Sequence, residues 1–268
     1  MDGLIYLYGL IPTAEAVKNS ISFLKGFDGT SNLYTIQLDE ITAIVCNLES
    51  GQYSEDSIQD LINSDMEWLQ EKAFHHHETL MHLSTMITVI PLKFCTLYKN
   101  KANLETTVKA NEPKILETFD RISGNEEWNL KIYCQDELLK KQVSESNTVI
   151  EAKREEISKL PKGRQFFEKK KLEKLVDLQL EEEKNKVSEQ VHSDLAKLAL
   201  KANVKRAWSS QVTGRQEKMP WNGVYLVTKS QVEPFREKIQ QYQNFMQERG
   251  WLFVATGPWP AYHFSSVS

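Results

Sequence analysis

The order of strand-like and helix-like segments begins again in the second half of this chain, and that restart limits the fold more than any other feature. Residues 4–11 are rich in β-branched and aromatic side chains, which is typical of a strand. A short helical stretch follows, and residues 33–38 and 41–48 then form the two arms of a predicted hairpin. An apolar stripe at helical spacing predicts a long helix from Ser54, and residues 87–90 predict another strand.

The second series of elements starts after Gly124. Residues 128–133 alternate between apolar and polar side chains, as a half-buried strand does. The elements predicted after this strand are a broken polar helix at 136–160, a long helix at 164–202, strands at 208–212 and 223–228, a helix from 234 to 250 and a last strand at 251–256. Both series therefore have the order β-α-β-β-α-β, which is the ferredoxin-like arrangement.

We therefore predict an α+β protein with two ferredoxin-like domains joined by a helix. The N-terminal domain is expected at 1–100 and the connecting helix at 101–123, where Pro113 predicts a kink or two shorter helices. The C-terminal domain is expected at 124–268, with a first crossover enlarged by the long helix at 164–202. No repeat is visible in the sequence itself, so the duplication is one of topology only.

Composition limits the classes of partner. The chain has 33 Lys and Arg against 37 Asp and Glu, and its formal charge of −4 does not favour binding to nucleic acid or to an anionic lipid membrane. No stretch approaches the run of about 18 apolar residues typical of a membrane span, and the N-terminus lacks the features of an export signal. Three widely separated cysteines, Cys46, Cys95 and Cys134, predict free thiols in a reducing compartment. The expected location is the cytoplasm.

The run His75-His76-His77-Glu78 with His82 is the strongest candidate for a metal or catalytic site. His77 and His82 are five residues apart, whereas a zinc-binding pair on one helix face needs a spacing of four. His75, Glu78 and His82 share a face, however, and two imidazoles with one carboxylate can hold zinc or iron. We predict no catalytic residue, no cofactor and no bound metal. The alternative is a ferredoxin-like ligand- or metal-binding sensor or enzyme that uses the face of His75, Glu78 and His82.

The C-terminal stretch Gly257-Pro-Trp-Pro-Ala-Tyr-His-Phe264 concentrates aromatic side chains. Two prolines enclose Trp259, fix the local backbone and withhold hydrogen-bond donors from a sheet. Two interpretations are equally consistent with this pattern. Either the aromatic side chains pack on the chain's own core, or Trp259, Tyr262 and Phe264 form a partner-binding edge.

Six stretches spread over nearly the whole chain carry a family pattern. They are Leu4-Ile-Tyr-Leu-Tyr-Gly-Leu-Ile-Pro12, the pair His77-Glu78, Pro91-Leu-Lys-Phe-Cys-Thr-Leu-Tyr98, Glu127-Trp-Asn-Leu-Lys-Ile-Tyr133, Gly223-Val-Tyr-Leu-Val227 and Gly257-Pro-Trp-Pro-Ala-Tyr-His-Phe264. In this order they resemble the gas vesicle protein F/L family, and the chain is more similar to the F branch than to the L branch. It departs from the family pattern at Cys95, where the family usually has glycine, and at Ala261, where the family usually has a second proline.

The resemblance implies a non-enzymatic, minor structural or assembly protein of gas vesicles, the hollow protein shells that give microbial cells buoyancy. The partners that it implies are the small hydrophobic main shell protein and other gas vesicle accessory proteins, with no nucleic acid and no lipid membrane among them. The implied location is the cytoplasm and the gas vesicle. In that setting we expect Trp259, Tyr262 and Phe264 to help dock the protein on a vesicle component.

Overall fold

Strand β1 (Leu4–Pro12) is central to the first of two sheets in the computed structural model, which describes residues 4–19, 24–49 and 53–266. The other strands of this sheet are β2 (Tyr34–Leu38), β3 (Ile41–Leu48), β4 (Ile90–Pro91) and β5 (Leu97–Tyr98). Their order is β2-β3-β1-β4, with β5 also paired to β1, and these pairings are antiparallel. Leu38 pairs with Ile41, which confirms the predicted hairpin turn between them.

Both faces of this sheet are buried under helices. The helices of this part of the chain are α1 (Thr13–Ala16), α2 (Glu55–Ser64), α3 (Met66–Met86) and α4 (Lys101–Ile122). Tyr6 and Tyr8 belong to a core shared with α3, whereas Ile5 and Leu7 belong to a second core shared with α4. Burial on both sides explains why β1 is a continuous apolar run rather than an alternating one.

Three predictions for this part of the chain are corrected. The helix predicted to connect two domains is α4, which packs on the first sheet and continues through Pro113 as one helix, so the two shorter helices are not formed. The long helix predicted from Ser54 is two helices, because Asp65 adopts an extended backbone and its side chain accepts a hydrogen bond from the Trp68 N–H as the N-cap of α3. The helix predicted after Pro12 is the single turn α1, and Ile21, which was predicted to extend it, lies outside the described residues.

The second sheet repeats the strand order of the first. Its part of the chain contains β6 (Asn125–Cys134), α5 (Asp136–Ser146), α6 (Thr148–Ser158), α7 (Lys162–Ala196), β7 (Lys201–Val204), α8 (Ser210–Thr213), β8 (Lys218–Thr228), α9 (Val232–Met246) and β9 (Trp251–Trp259). The strand order is β7-β8-β6-β9. If the four main strands of each sheet are counted along the chain, the third strand lies between the first and the second in space. This is the split βαβ arrangement predicted from the sequence.

Two predictions for this second series are wrong. Helix α7 ends at Ala196 instead of 202, and the residues after it form strand β7, in which Lys201 pairs with Leu226 of β8. The apolar stripe of the helix had already ended near Leu198, so antiparallel pairing determines the conformation beyond it. The strand predicted at 208–212 is also absent, since Ser210–Thr213 is one helical turn closed by Gly214 at a φ of 65°.

The chain divides into two compact units. The first contains the residues up to 127 and those from 258 onward, and the second contains residues 128–257. The chain thus enters the second unit within β6 and leaves it within β9. This division differs from the predicted domains 1–100 and 124–268, because α4 and the C-terminal residues both belong to the first unit. None of the helices in the described ranges is long and apolar enough to cross a membrane.

Candidate interaction site

Three consecutive histidines of α3 each share a hydrogen bond with a different tyrosine hydroxyl. The pairs and their N–O distances are His75 Nε2 with Tyr8 (2.9 Å), His76 Nδ1 with Tyr6 (2.8 Å) and His77 Nδ1 with Tyr262 (3.0 Å). Neighbouring residues on a helix point about 100° apart, so one short stretch of α3 contacts both tyrosines of β1 and the C-terminal region. The histidine run is therefore a set of structural contacts within the first unit.

His76 has one defined tautomer in this arrangement. Its Nε2 lies 3.2 Å from the Leu92 carbonyl oxygen, which only accepts, so Nε2 carries the proton and Nδ1 accepts from the Tyr6 hydroxyl. The Tyr6 hydroxyl in turn accepts the Cys95 N–H at 3.2 Å. Burial lowers the pKa of His76 to about 4, so the ring is neutral at pH 7. The network holds α3 to β1 and to the segment after β4.

The three side chains of the alternative metal site on α3 are not assembled around one point. His75 turns to Tyr8, and its pKa is lowered by burial and by the nearby Lys72. Glu78 and His82 are exposed. No group of three His, Cys, Asp or Glu side chains is placed to hold a metal ion anywhere in the described ranges 4–19, 24–49 and 53–266. His75, Glu78 and His82 are therefore not brought together as a ligand set in the described part of the chain.

The C-terminal segment, defined here as residues 258–266, packs on the first unit. Phe264 is only 5% exposed, whereas Trp259 and Tyr262 are half-buried. The His77 ring lies 5.5 Å from the Trp259 ring and 6.0 Å from the Tyr262 ring, measured between centroids. Of the three predicted partner-binding residues, Phe264 thus anchors the segment, while Trp259 and Tyr262 keep part of their surface in solvent around His77.

Polar contacts to the backbone fix the position of this segment. The carboxylate of Glu127, which is completely buried, accepts the His263 N–H at 2.8 Å and lies 2.7 Å from His263 Nδ1. Arg121 Nε donates to the Phe264 carbonyl oxygen at 3.1 Å and its Nη2 donates to Thr118 Oγ1 at 2.9 Å. Charged groups that bind backbone atoms in a buried setting make strong, directional contacts.

Glu127 and Arg121 were missed in the sequence analysis. Their partners lie more than 130 residues further along the chain, and local patterns carry no information about such contacts. One signal was present: Glu127 precedes the apolar side of a half-buried strand, where an acid requires a partner.

Several open clefts lie on the second unit, all of whose residues are described. One of about 780 Å³ lies among α5, α7 and the start of β9, and one of about 640 Å³ lies beside α9. Neither cleft is lined by a histidine or a cysteine.

Comparisons with known proteins agree with this fold. The family model described as gas vesicle synthesis protein GvpL/GvpF matches residues 4–266. Gas vesicle protein L of Streptomyces sp. (strain CB03234) is 20% identical over 229 residues, which are 85% of this chain and 81% of that protein. The crystal structure of GvpF from Anabaena sp. PCC7120 has a TM-score of 0.77 at 18% identity, with both chains covered completely. GvpF from Microcystis aeruginosa has a TM-score of 0.67 at 17% identity, covering 99% of this chain and 100% of that one. The chain belongs to the GvpL/GvpF family of gas vesicle synthesis proteins.

Proposed function

We propose that this protein is a non-enzymatic, minor structural or assembly component of gas vesicles that contacts the main shell protein and other accessory proteins, and that it binds the shell protein at the C-terminal segment. Its place of action is the cytoplasm and the forming vesicle. Family membership supports the association with gas vesicles. The single observation that carries the binding site is the half-buried Trp259 beside His77, on a segment that Glu127 and Arg121 hold in place.

A fixed aromatic side chain is well suited to bind a hydrophobic partner. Trp buries a large apolar area with few rotatable bonds, and aromatic residues are enriched among the side chains that dominate protein interfaces. Because the segment is already ordered, little conformational entropy is lost when a partner covers Trp259. Tyr262 adds apolar surface next to it, whereas buried Phe264 contributes only by anchoring.

The state of the titratable groups supports a role without catalysis. Burial keeps His76 neutral, and its ring nitrogens are both used in structural hydrogen bonds. Burial also raises the pKa values of Cys46 and Cys95 to about 11 and that of Cys134 to about 12. A nucleophilic cysteine needs the opposite shift, toward a thiolate at neutral pH.

Trp259→Ala tests the proposal against the purified main shell protein. We expect binding to weaken by about 1–2 kcal/mol, the loss typical of an aromatic anchor, while thermal unfolding changes little. Trp208→Ala is the matched control, because Trp208 is an exposed tryptophan of the second unit that stacks with Lys131. Unchanged binding by a Trp259→Ala protein of lowered stability would show that Trp259 serves only the fold.

A further inference from the structure

The turn between α6 and α7 and the first turns of α7 carry a concentrated positive charge. Residues 159–171, here called the basic tip, contain six basic side chains and only one acidic side chain, in a chain whose formal charge is −4. All six basic residues are exposed, and they are Lys159, Lys162, Arg164, Lys169, Lys170 and Lys171. Gln165 Nε2 donates to the Leu160 carbonyl oxygen at 2.8 Å and stabilises the turn.

Two adjacent phenylalanines at this tip are in solvent. Phe166 is 62% exposed and Phe167 is 68% exposed, and their rings meet edge to face at 5.7 Å. Lys170 Nζ lies 5.4 Å from the centre of the Phe166 ring. Exposed aromatic pairs are uncommon on proteins that have no partner at that surface, so the tip has the composition of an interaction site.

The exposed apolar and basic side chains continue along one face of α7. Phe167, Lys171, Lys174 and Leu178 follow the spacing i, i+4, i+7, i+11, and Leu178 is 62% exposed. Eleven residues of helix span about 16 Å. The opposite face, which includes Val176, is the one buried against α5 and α6. Helix α7 therefore has a solvent-exposed face about three turns long. An apolar side chain lies at each end of this face, and two lysines lie between them.

We propose that this face binds an amphipathic helix of a partner protein. On the bound side of that helix, acidic side chains alternate with apolar ones. Helices pack through such seams of i, i+3 and i+4 positions. Carboxylates of the partner would pair with Lys171 and Lys174, and its apolar side chains would cover Phe167 and Leu178. Lys171 already lies 2.7 Å from Glu168, but a surface ion pair of this kind contributes little and is easily exchanged.

The two central lysines favour a protein helix over a lipid layer. At the surface of a membrane they would lie where the apolar side of the helix must enter the hydrocarbon, which is costly for ammonium groups. Opposite another helix the same lysines gain charge complementarity, which provides specificity for the partner. The inference is independent of shell-protein binding at Trp259, because it concerns a different surface in the other unit.

A fluorescent synthetic helix with leucine and glutamate on one face is the probe, and its control has lysine in place of glutamate. We expect the full-length protein to bind the glutamate peptide and not the lysine peptide. The double variant Phe166→Ala/Phe167→Ala should bind the glutamate peptide at least about tenfold more weakly, which corresponds to the loss of one good anchor. Phe245→Ala, at an equally exposed phenylalanine of α9, should bind it as the wild type does.

Charge reversal gives the sharpest result. Lys171→Glu/Lys174→Glu should lose the glutamate peptide and gain the lysine peptide. Equal binding of both peptides to the wild type, or no binding of either, would overturn the proposal.

Phenylalanine-dependent binding to phosphatidylserine vesicles without peptide binding would assign the face to an anionic membrane, and phenylalanine-dependent self-association in sedimentation would assign it to a second copy. Both of these results would also overturn it.

Discussion

His76 shows how a single buried residue makes stability depend on pH. Its pKa is lowered from 6.5 to about 4 by burial, so between these values the unfolded chain binds more protons than the folded one. Stability from the neutral ring is complete above pH 6.5 and is lost as the pH falls toward 4. Between pH 7 and 4.5 this residue alone should remove about 2 kcal/mol of unfolding free energy.

Urea unfolding of the wild type and of His76→Gln at both pH values measures this contribution. Glutamine retains a donor and an acceptor but does not titrate, so the variant should lose about 2 kcal/mol less than the wild type on acidification. Protonation of the carboxylates changes the unfolding free energy of both proteins equally, so the difference between the two proteins reports His76 alone. Equal losses in the two proteins would show that His76 is not held neutral.

Cys95 occupies a backbone conformation that favours glycine. Its φ is 59°, in the left-handed region, which costs a residue with a Cβ roughly 1–2 kcal/mol. A glycine at this position would not carry this cost. We expect Cys95→Gly to be more stable than Cys95→Ala by about 1 kcal/mol in urea unfolding, the reverse of the usual order of glycine and alanine. A more stable alanine variant would show that the left-handed conformation carries no strain.

The three thiols should react slowly in the folded protein. Cys46, Cys95 and Cys134 are all free, as predicted, and burial raises each pKa to about 11 or 12. We expect a thiol reagent at pH 8 to label three groups at once in guanidinium and to label the native protein only slowly. Rapid native labelling, or fewer than three groups in denaturant, would contradict this.

At the scale of elements, the C-terminal segment depends on Glu127 as an acceptor for His263. Glu127→Ala leaves the His263 N–H without this partner and should destabilise the first unit by about 1–3 kcal/mol. Glu127→Gln keeps one oxygen acceptor and should cost less. Hydrogen exchange of residues 258–266 reports the change directly, and equal protection in the wild type and Glu127→Ala would show that the carboxylate does not anchor the segment.

The elements that could be predicted are those determined by neighbouring residues. Alternation and β-branched content identified β1, the hairpin of β2 and β3, and β6, and the polar start at Ser54 identified a capped helix. Three failures have distant or competing causes. Packing of α4 on the sheet accommodates Pro113, the Asp65 side chain favours a cap over a continuous helix, and pairing with β8 converts residues 201–204 into a strand.

At the scale of the whole molecule, topology was predictable but the path of the chain end was not. The predicted β-α-β-β-α-β order matches both sheets, although the second strand of the second series lies at 201–204 and not at the predicted 208–212. The return of residues 258–266 to the first unit rests on Glu127, Arg121 and His77, whose contacts with the segment are all distant in sequence. The sequence therefore singled out the aromatic residues of the C-terminal segment, whereas the residues that hold them in place became visible only in the structure.

Site-specific photo-crosslinking tests shell-protein binding at Trp259 most directly. A photoreactive phenylalanine analogue placed at 259, and at exposed position 208 as the control, would be activated in cells that are forming gas vesicles. We predict a covalent adduct with the main shell protein from position 259 and little or none from position 208. No shell-protein adduct from 259, or equal adducts from both positions, would contradict a role for the C-terminal segment in binding the shell.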